Sequence, residues 1–199
     1  ERPAQAGLVS WPDGWMAMTA NDARAYSGML SYTLDPKTAV GYTFEYWREG
    51  EWQFHGVQAN RLLKRWNYPD AQVNIYALGG IGAAYTTRGS LDANWEPAGF
   101  VGVEADAEDR RFYASYEARL YEAGPIDGFF MQKARIGVAP YVAGFGETHL
   151  WLMLQVDHYP ESHDPVEYTA FVRVFQGYVW AEAGISDNGE PLFNLTYQF

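Results

Sequence analysis

The sequence has no cysteine among its 199 residues. Disulfide frameworks, thiolate metal sites and cysteine nucleophiles are therefore excluded. It also has no apolar run that approaches the ~20 residues of a membrane-spanning helix. Its mean hydropathy is negative, at −0.33, so the sequence excludes a helical membrane protein.

Basic residues are scarce, with 14 Lys and Arg against 25 Asp and Glu and a net charge of −11. Nucleic-acid binding needs clustered cations to meet the phosphates, so we expect no nucleic-acid partner. Cations are the more natural ligands of such an acidic chain. The length is that of one ordinary domain, and we expect a single folded unit.

Aromatic residues are plentiful, with 15 Tyr, 11 Phe and 8 Trp making up 17% of the chain. High aromatic content with modest hydropathy is typical of a transmembrane β-barrel. In such a barrel only alternate residues face lipid, and Tyr and Trp gather at the two interfaces. A soluble all-β protein can have a similar composition, so composition leaves both classes open.

The hydrophobic pattern from Trp15 to Phe199 has a period of two residues almost throughout, which indicates β-strands. Eleven groups of turn-forming residues interrupt it and divide it into twelve segments. We predict an all-β, single-chain antiparallel transmembrane barrel of about twelve strands, with ten as the fallback, short loops and a polar and aromatic lumen. Residues 1–14 are expected to form an N-terminal arm or loop, and residues 15–199 the barrel.

The two faces of several segments separate by polarity. Leu150, Leu152 and Leu154, for example, alternate with Trp151 and Gln155. A membrane barrel turns its apolar face outward, whereas a soluble barrel usually turns it inward. Alternation alone does not say which face is which, because a soluble ligand-binding calyx alternates as well.

The last eight residues, Leu192 to Phe199, place Phe193, Leu195, Tyr197 and Phe199 on one face and polar residues on the other. This strand resembles the C-terminal signature of Gram-negative outer-membrane β-barrels, which end in Phe with apolar residues at alternate preceding positions. The resemblance implies a bacterial outer-membrane location and a signal peptide already removed. It also implies that the four residues are an assembly signal for the barrel assembly machinery, with outer-membrane lipid and lipopolysaccharide as further partners.

If both termini lie in the periplasm, alternate connections face outside, and those connections carry only Arg48 and Arg88 as bases. Their acidic residues are Asp22, Glu49, Glu51, Asp92, Glu96, Asp127, Glu161, Asp164, Asp187 and Glu190. An acidic rim raises the local concentration of cations and repels anions. The leading hypothesis is a narrow outer-membrane channel or transporter that favours cations or small polar solutes.

The alternation also places many charged side chains toward the lumen, namely Glu45, Glu104, Asp106, Glu117, Arg119, Lys133, Arg135, Asp157, Glu167, Arg173 and Glu182. Such charges are solvated or ion-paired, because unpaired ions facing lipid are costly. We expect acids and bases to face each other across neighbouring strands, as a selectivity track or as an ion-paired plug. Bulky inward residues are expected to narrow the lumen, namely Trp47, Tyr76, Phe100, Tyr113, Tyr121, Phe129, Trp151, Phe171, Tyr178 and Trp180.

Two groups of residues could bind a metal, although the sequence requires no cofactor. Imidazole and carboxylate groups suited to zinc or copper are provided by His158, His163, Asp157 and Glu161. Soft ligands suited to copper are provided by His149, Met153 and Met131. The second hypothesis is therefore a non-channel outer-membrane barrel that binds a divalent metal, copper or a periplasmic partner.

Catalysis has little support in the sequence. Ser162, His163 and Asp164 are adjacent in the chain, and three adjacent residues cannot face one another as a catalytic triad does. We therefore predict no catalytic residue. A lipid-modifying enzyme and a soluble ligand-binding calyx remain as the less favoured alternatives.

One segment resists a simple assignment of faces. Between Trp52 and Trp66, no single alternation keeps Arg61, Lys64 and Arg65 all off the lipid face. A β-bulge or a position at the membrane edge would resolve the conflict.

Overall fold

The computed structural model describes residues 7–88, 94–144 and 146–199, which form twelve strands. The strands are β1 (Trp15–Asn21), β2 (Ala25–Asp35), β3 (Thr38–Trp47), β4 (Trp52–Asn67), β5 (Ala71–Thr86), β6 (Asn94–Asp109), β7 (Phe112–Glu122), β8 (Gly128–Val138), β9 (His149–His158), β10 (Val166–Gln176), β11 (Val179–Ser186) and β12 (Pro191–Gln198). Each strand pairs antiparallel with the next, and β12 pairs with β1, so the sheet is a closed barrel. The predicted fold and strand number are confirmed.

The closing strand β12 is held on both sides. It pairs with β11, and it pairs with β1 so that Met16 lies opposite Gln198 and Asn21 opposite Phe193. The backbone of Phe199 exchanges two hydrogen bonds with that of Trp15, at 2.7 and 2.9 Å. The aromatic and apolar residues of the C-terminal signature lie exposed on the outside of the barrel. Their role as an assembly signal stays a prediction.

The outside of the barrel is apolar and the inside is polar. Exposed apolar side chains on the outward face include Leu30, Tyr42, Val57, Ile81, Val101, Leu120, Ile136, Leu152, Val172 and Ile185. Buried polar side chains on the inward face include Gln58, Asn60, Asn74, Gln155, Asp157, Thr169 and Glu182. This polarity is the reverse of that in a soluble barrel and is the one that a lipid-exposed barrel requires. No helix within the described ranges is long and apolar enough to span a membrane.

The barrel has two rims. We call the rim formed by the β1–β2, β3–β4, β5–β6, β7–β8, β9–β10 and β11–β12 connections the distal rim. The proximal rim lies at the other end, where β1 begins and β12 ends. Strands β4, β5 and β6 each have 16 residues, whereas β1 has only 7, so the barrel wall is tallest around β5.

The N-terminal arm enters the barrel. Its described part, residues 7–14, is irregular, and residues 1–6 lie outside the described residues. Leu8, Val9 and Ser10 are buried. Leu8 and Val9 belong to a cluster with inward side chains of β4 and β5, including Phe54. The amide of Asn60 donates to the Leu8 carbonyl at 3.4 Å. The sequence pattern did not predict this insertion into the lumen.

The predicted β-bulge is present in β4, but it does not remove the conflict by itself. The register between β4 and β5 shifts between Leu62 and Lys64. After the shift Arg65 lies opposite Asn74, an inward residue, and donates to its side chain at 2.7 Å. Arg61 and Lys64, however, remain exposed on the outward face. The bulge therefore turns Arg65 inward and Lys64 outward, so two of the three cations lie on the outside.

Gly80 shows why β5 is rich in glycine. A Cβ atom built on it would lie 2.4 Å from the ring of Phe100, which is far closer than side-chain atoms approach one another. Phe100 lies directly opposite Gly80 on β6. The glycine therefore makes room for a ring that packs across the strand pair inside the barrel.

Candidate functional site: the lumen

Three cavities lie in series along the barrel. A central cavity of about 200 Å³ is lined by charged residues of both signs together with uncharged polar and aromatic residues. A proximal cavity of about 320 Å³ shares Tyr113, Arg173 and Phe175 with it. A distal cavity of about 270 Å³ shares Trp47 and Tyr159 with it. The shared residues are the two constrictions between neighbouring cavities.

The distal constriction is aromatic and spans the barrel. Trp47 ends β3 and Tyr159 follows β9, and these two strands lie on opposite sides of the barrel. Their ring centroids are nevertheless only 6.3 Å apart. Phe129 fills the gap, at 4.8 Å from Trp47 and 6.1 Å from Tyr159, and Tyr121 stacks on Phe129 at 4.8 Å. These rings close most of the distal half of the lumen.

The proximal constriction combines an aromatic ring with a held cation. The Arg173 guanidinium lies 4.7 Å from the centroid of the Tyr113 ring. Its Nε donates to Glu182 at 2.6 Å. Because Arg173 is held on both sides, it has a fixed position at the passage between the central and proximal cavities.

Arg119 carries an ion pair across the lumen. Its guanidinium pairs with Glu117 on its own strand and with Glu45 on β3 at 3.3 Å. The hydroxyl of Tyr121 also donates to Glu45, at 3.2 Å. Since β3 and β7 are not neighbours, this pair exists only because the barrel closes and brings the two walls together.

Two further bases bridge separate parts of the barrel. Lys133 on β8 pairs with Asp157 on β9 at 3.5 Å and with Asp22, in the β1–β2 connection, at 3.1 Å. Arg135 on β8 pairs with Glu182 on β11 at 3.5 Å. The lumen charges therefore form a network that reaches between non-adjacent strands, and not a set of local pairs.

The predicted ladders of acids facing bases are wrong at β6 and β7. The register places Glu104 directly opposite Glu117, another acid. Among the described residues Glu104 takes part in no ion pair, and it lines the central cavity. Asp106, two residues on, accepts a hydrogen bond from Asn74 at 2.7 Å. Glu104 is therefore a lumen carboxylate that no base neutralises directly.

The remaining predicted lumen residues also lie inside the barrel, and Glu167 is buried within 3.7 Å of Arg24. Tyr178 is an exception among the bulky residues predicted to face inward. It lies half exposed in the β10–β11 turn at the proximal rim, so that prediction is wrong. The other predicted bulky residues are buried or half-buried within the barrel.

Arg24 organises the distal rim, and the sequence analysis did not count it as a rim cation. It donates to the Ser162 hydroxyl at 2.9 Å and to Glu49 at 3.3 Å, and the same hydroxyl donates to Glu49 at 2.7 Å. The Ser162 hydrogen bond holds the pKa of Glu49 below its usual range, with help from the His163 backbone amide and the charge of Arg24, although partial burial opposes this. We call Arg24, Glu49 and Ser162 the rim latch, because they join the β1–β2, β3–β4 and β9–β10 connections.

Other rim acids are placed as follows. Glu190 pairs with Arg48 at 3.0 Å, and Asp127 accepts a hydrogen bond from Trp52 at 2.8 Å. Glu96 lies within β6, not in a connection. Asp92 lies outside the described residues. Several of the predicted rim acids are therefore neutralised by neighbouring bases.

The first predicted metal-ligand group does not converge. Asp157 points into the lumen, whereas Nδ1 of the next residue, His158, accepts a hydrogen bond from the amide Nε2 of outward-facing Gln132 at 3.2 Å. His163 and Glu161 lie in the β9–β10 connection, where the Glu161 carboxylate accepts from a backbone amide of β8 at 3.4 Å. Within the described parts of the chain, no group of three or more His, Asp or Glu side chains is arranged to hold a metal.

The predicted soft ligands are also apart. Met131 belongs to the apolar cluster that contains Leu8, whereas Met153 belongs to a second cluster. His149 lies at the proximal rim, with its Nε2 at 3.2 Å from the Tyr141 carbonyl. The structure therefore does not bring these three residues together at one point.

Comparisons with known proteins identify the fold. No protein-family model matches the chain, and no curated protein matches it. Among solved structures, the chain is similar to a KdgM porin in complex with disordered oligogalacturonate, at 9% sequence identity and a TM-score of 0.53, over 94% of this chain and 98% of that chain. It also matches a second structure of the KdgM porin, at 9% identity, a TM-score of 0.48 and the same coverage. At the level of the fold, the chain therefore resembles an outer-membrane porin, as its closing strand predicted.

Proposed function

We propose that this protein is a narrow channel in the bacterial outer membrane. The observation that carries the proposal is the series of three cavities along a barrel that is apolar outside and charged inside. Such polarity suits lipid on the outside and water or small polar solutes within. The similarity to a porin supports this through the fold alone.

The lumen charges favour cations over anions. The described acids that line it are Asp22, Glu45, Glu104, Asp106, Glu108, Glu117, Asp157, Glu167 and Glu182, and the bases are Arg24, Arg65, Arg119, Lys133, Arg135 and Arg173. The excess of acids produces a negative potential that attracts cations and small polar solutes with a positive group. Glu104 is the best placed to contact a passing cation, because it borders the central cavity without an ion-pair partner among the described residues.

Conduction would be small in the conformation described. The Trp47, Phe129 and Tyr159 rings meet across the distal half, and Leu8 and Val9 occupy part of the lumen. We therefore expect low single-channel conductance, with larger openings only when the arm or the distal rings move.

Planar-bilayer recording tests this function. Under a salt gradient, the sign of the reversal potential should show preference for the cation, and Glu104→Gln should weaken that preference. Asp70→Asn changes an exposed carboxylate in the β4–β5 turn and serves as the matched control, with no change expected. A strong anion preference, or a Glu104→Gln channel with unchanged selectivity, would contradict the proposal.

A second candidate function is a barrel that stays closed and acts through a periplasmic partner. The observation that favours it is the buried arm, since Leu8, Val9 and Ser10 fill lumen space that a channel leaves open. It predicts no conductance from the natural chain or from a variant whose arm has been released. Conductance from either one would exclude it.

A further inference from the structure

The outward face of β4 carries cations where a membrane barrel should be apolar. Arg61 and Lys64 are both exposed there. A charged side chain that faces hydrocarbon is costly, so it must reach the polar headgroups. The β4 bulge does not remove this conflict, and a position at the membrane edge has to resolve it.

The positions of these residues fit the membrane edge. Arg61 lies opposite Thr38, in the last residue pair between β3 and β4 before the β2–β3 turn of the proximal rim. Lys37 is exposed in that turn. Lys64 lies three residues nearer the end of β4 than Arg61. All three cations therefore lie on one sector of the proximal rim.

Apolar side chains surround the cations in the same sector. Leu34 is 57% exposed, Leu63 is 55% exposed, and Tyr68 in the β4–β5 turn is exposed as well. The Lys64 ammonium lies 5.6 Å from the centroid of the Trp66 ring, which is also exposed. A membrane-anchoring surface has leucine in the hydrocarbon, Trp and Tyr at the interface, and lysine side chains that reach the headgroups.

The charge of this sector is positive although the chain is strongly acidic. Asp35 pairs with Arg61 at 3.3 Å, with both side chains about half exposed. Lys37 and Lys64 have no ion pair among the described residues. Asp70 in the β4–β5 turn is the second exposed acid of the sector, so its three cations outnumber its acids by one. A positive surface beside apolar groups is complementary to a phosphate ester that has acyl chains attached.

We propose that Lys37, Arg61 and Lys64, with Leu63 and Trp66, form a binding site for anionic phospholipid headgroups at the proximal rim. The cations contact the phosphate, while Leu63 and Trp66 contact the acyl and glycerol region. Because the barrel has no comparable outward pair of unpaired lysines elsewhere in its described residues, the site would fix one sector of the proximal rim to the lipid leaflet.

Native mass spectrometry of the full chain in zwitterionic detergent tests the site. The micelles are titrated separately with phosphatidylglycerol and with phosphatidylcholine, and bound lipid is counted. Phosphatidylglycerol should bind more tightly. Lys64→Gln should weaken it about fivefold, the factor expected for one cation near an anionic lipid surface. Lys37→Gln with Lys64→Gln should weaken it further, and Lys64→Arg should preserve it.

The matched control is the double change Arg110→Gln and Arg111→Gln, which removes two cations from the β6–β7 turn of the same rim. It should leave phosphatidylglycerol binding within about twofold of the natural chain, since neither arginine lies in the β2–β3 turn or on β4, where the proposed site is located. An equal loss of phosphatidylglycerol binding in both double variants would show that binding depends on net charge alone, and would overturn the site. Unchanged binding in the lysine variants would also overturn it and leave the surface to a protein partner.

The inference rests on the membrane location in the proposed function and not on conduction. Heat-modifiable gel mobility of each variant reports whether the barrel has folded. If Lys64→Gln fails to fold, the folded Lys64→Arg variant must still prefer phosphatidylglycerol, and loss of that preference would overturn the site. A barrel without conductance that still binds phosphatidylglycerol through Lys64 would refute the channel and retain the lipid site.

Discussion

The two walls of the lumen differ in chemistry. The wall formed by β4 and β5 is largely apolar, with Phe54 and Tyr76 in one buried cluster with Leu8 of the arm. The opposite wall, from β7 to β11, carries the ion-pair network of Lys133, Arg135 and their partners. No described residue of β4 or β5 lines the central cavity, whereas residues of the opposite wall do. We therefore expect substitutions in the apolar wall to change stability alone, and substitutions in the charged wall to change selectivity as well.

The largest effect on stability is expected from Phe54→Ala on the apolar wall. Phe54 is fully buried, and its ring lies 5.8 Å from that of Phe100. Its removal leaves a cavity and should lower the free energy of unfolding by about 3–5 kcal/mol. Urea unfolding of the vesicle-folded barrel measures this. Val57→Ala, on the outward face of the same strand, is the control, and the reversal potential of Phe54→Ala channels should not change.

Glu182→Gln on the charged wall should lower stability and weaken cation selectivity. Glu182 is buried and is the counter-ion of Arg135 and Arg173. Removal of its charge leaves two cations without compensation and should cost about 3 kcal/mol of unfolding free energy. Cation preference should fall as well. If Glu182→Gln changed stability only, or Phe54→Ala changed selectivity, the division between the two walls would be wrong.

Release of the arm gives a smaller loss of stability and a larger change in conductance. Leu8→Asp puts a carboxylate among apolar side chains, where burial of a charge is unfavourable, so the arm should leave the lumen. Single-channel conductance should increase severalfold. Pro12→Asp changes an exposed residue of the same segment and should have no such effect. Equal conductance in both variants would show that the arm does not obstruct the lumen.

The smallest effect is expected at the rim latch. The pKa of Glu49 is lowered mainly by the Ser162 hydrogen bond. The ionised Glu49 carboxylate therefore stabilises the rim latch fully at pH values above its usual pKa range. This stabilisation is lost as the pH falls through the lowered pKa. Acidification should increase channel opening, and Glu49→Gln should reduce this pH dependence. Glu190→Gln breaks the ion pair with Arg48 at the same rim and should preserve the pH dependence of channel opening. An identical response in the two variants would argue against the latch.

The strand architecture followed from local information. Period-two alternation and turn-forming residues predicted all twelve strands, and the outward row of Phe193, Leu195 and Tyr197 predicted which face is apolar. These signals lie within a few neighbouring residues, since side chains alternate across a strand and turns depend on local backbone preferences. The apolar Leu8–Val9 pair in the arm was the signal that could have indicated its burial.

Contacts across the lumen could not be predicted from local sequence patterns. Glu45 and Arg119, or Asp22 and Lys133, lie far apart in sequence and meet only because a barrel of this stagger and width brings their strands together. Register also decided that Glu104 faces Glu117, because a shift of pairing changes every partner. The sequence by itself determined the strands, their two faces and the excess of acidic charge. Only the closed barrel decided which charges are paired, which rings close the lumen and that the arm lies inside it.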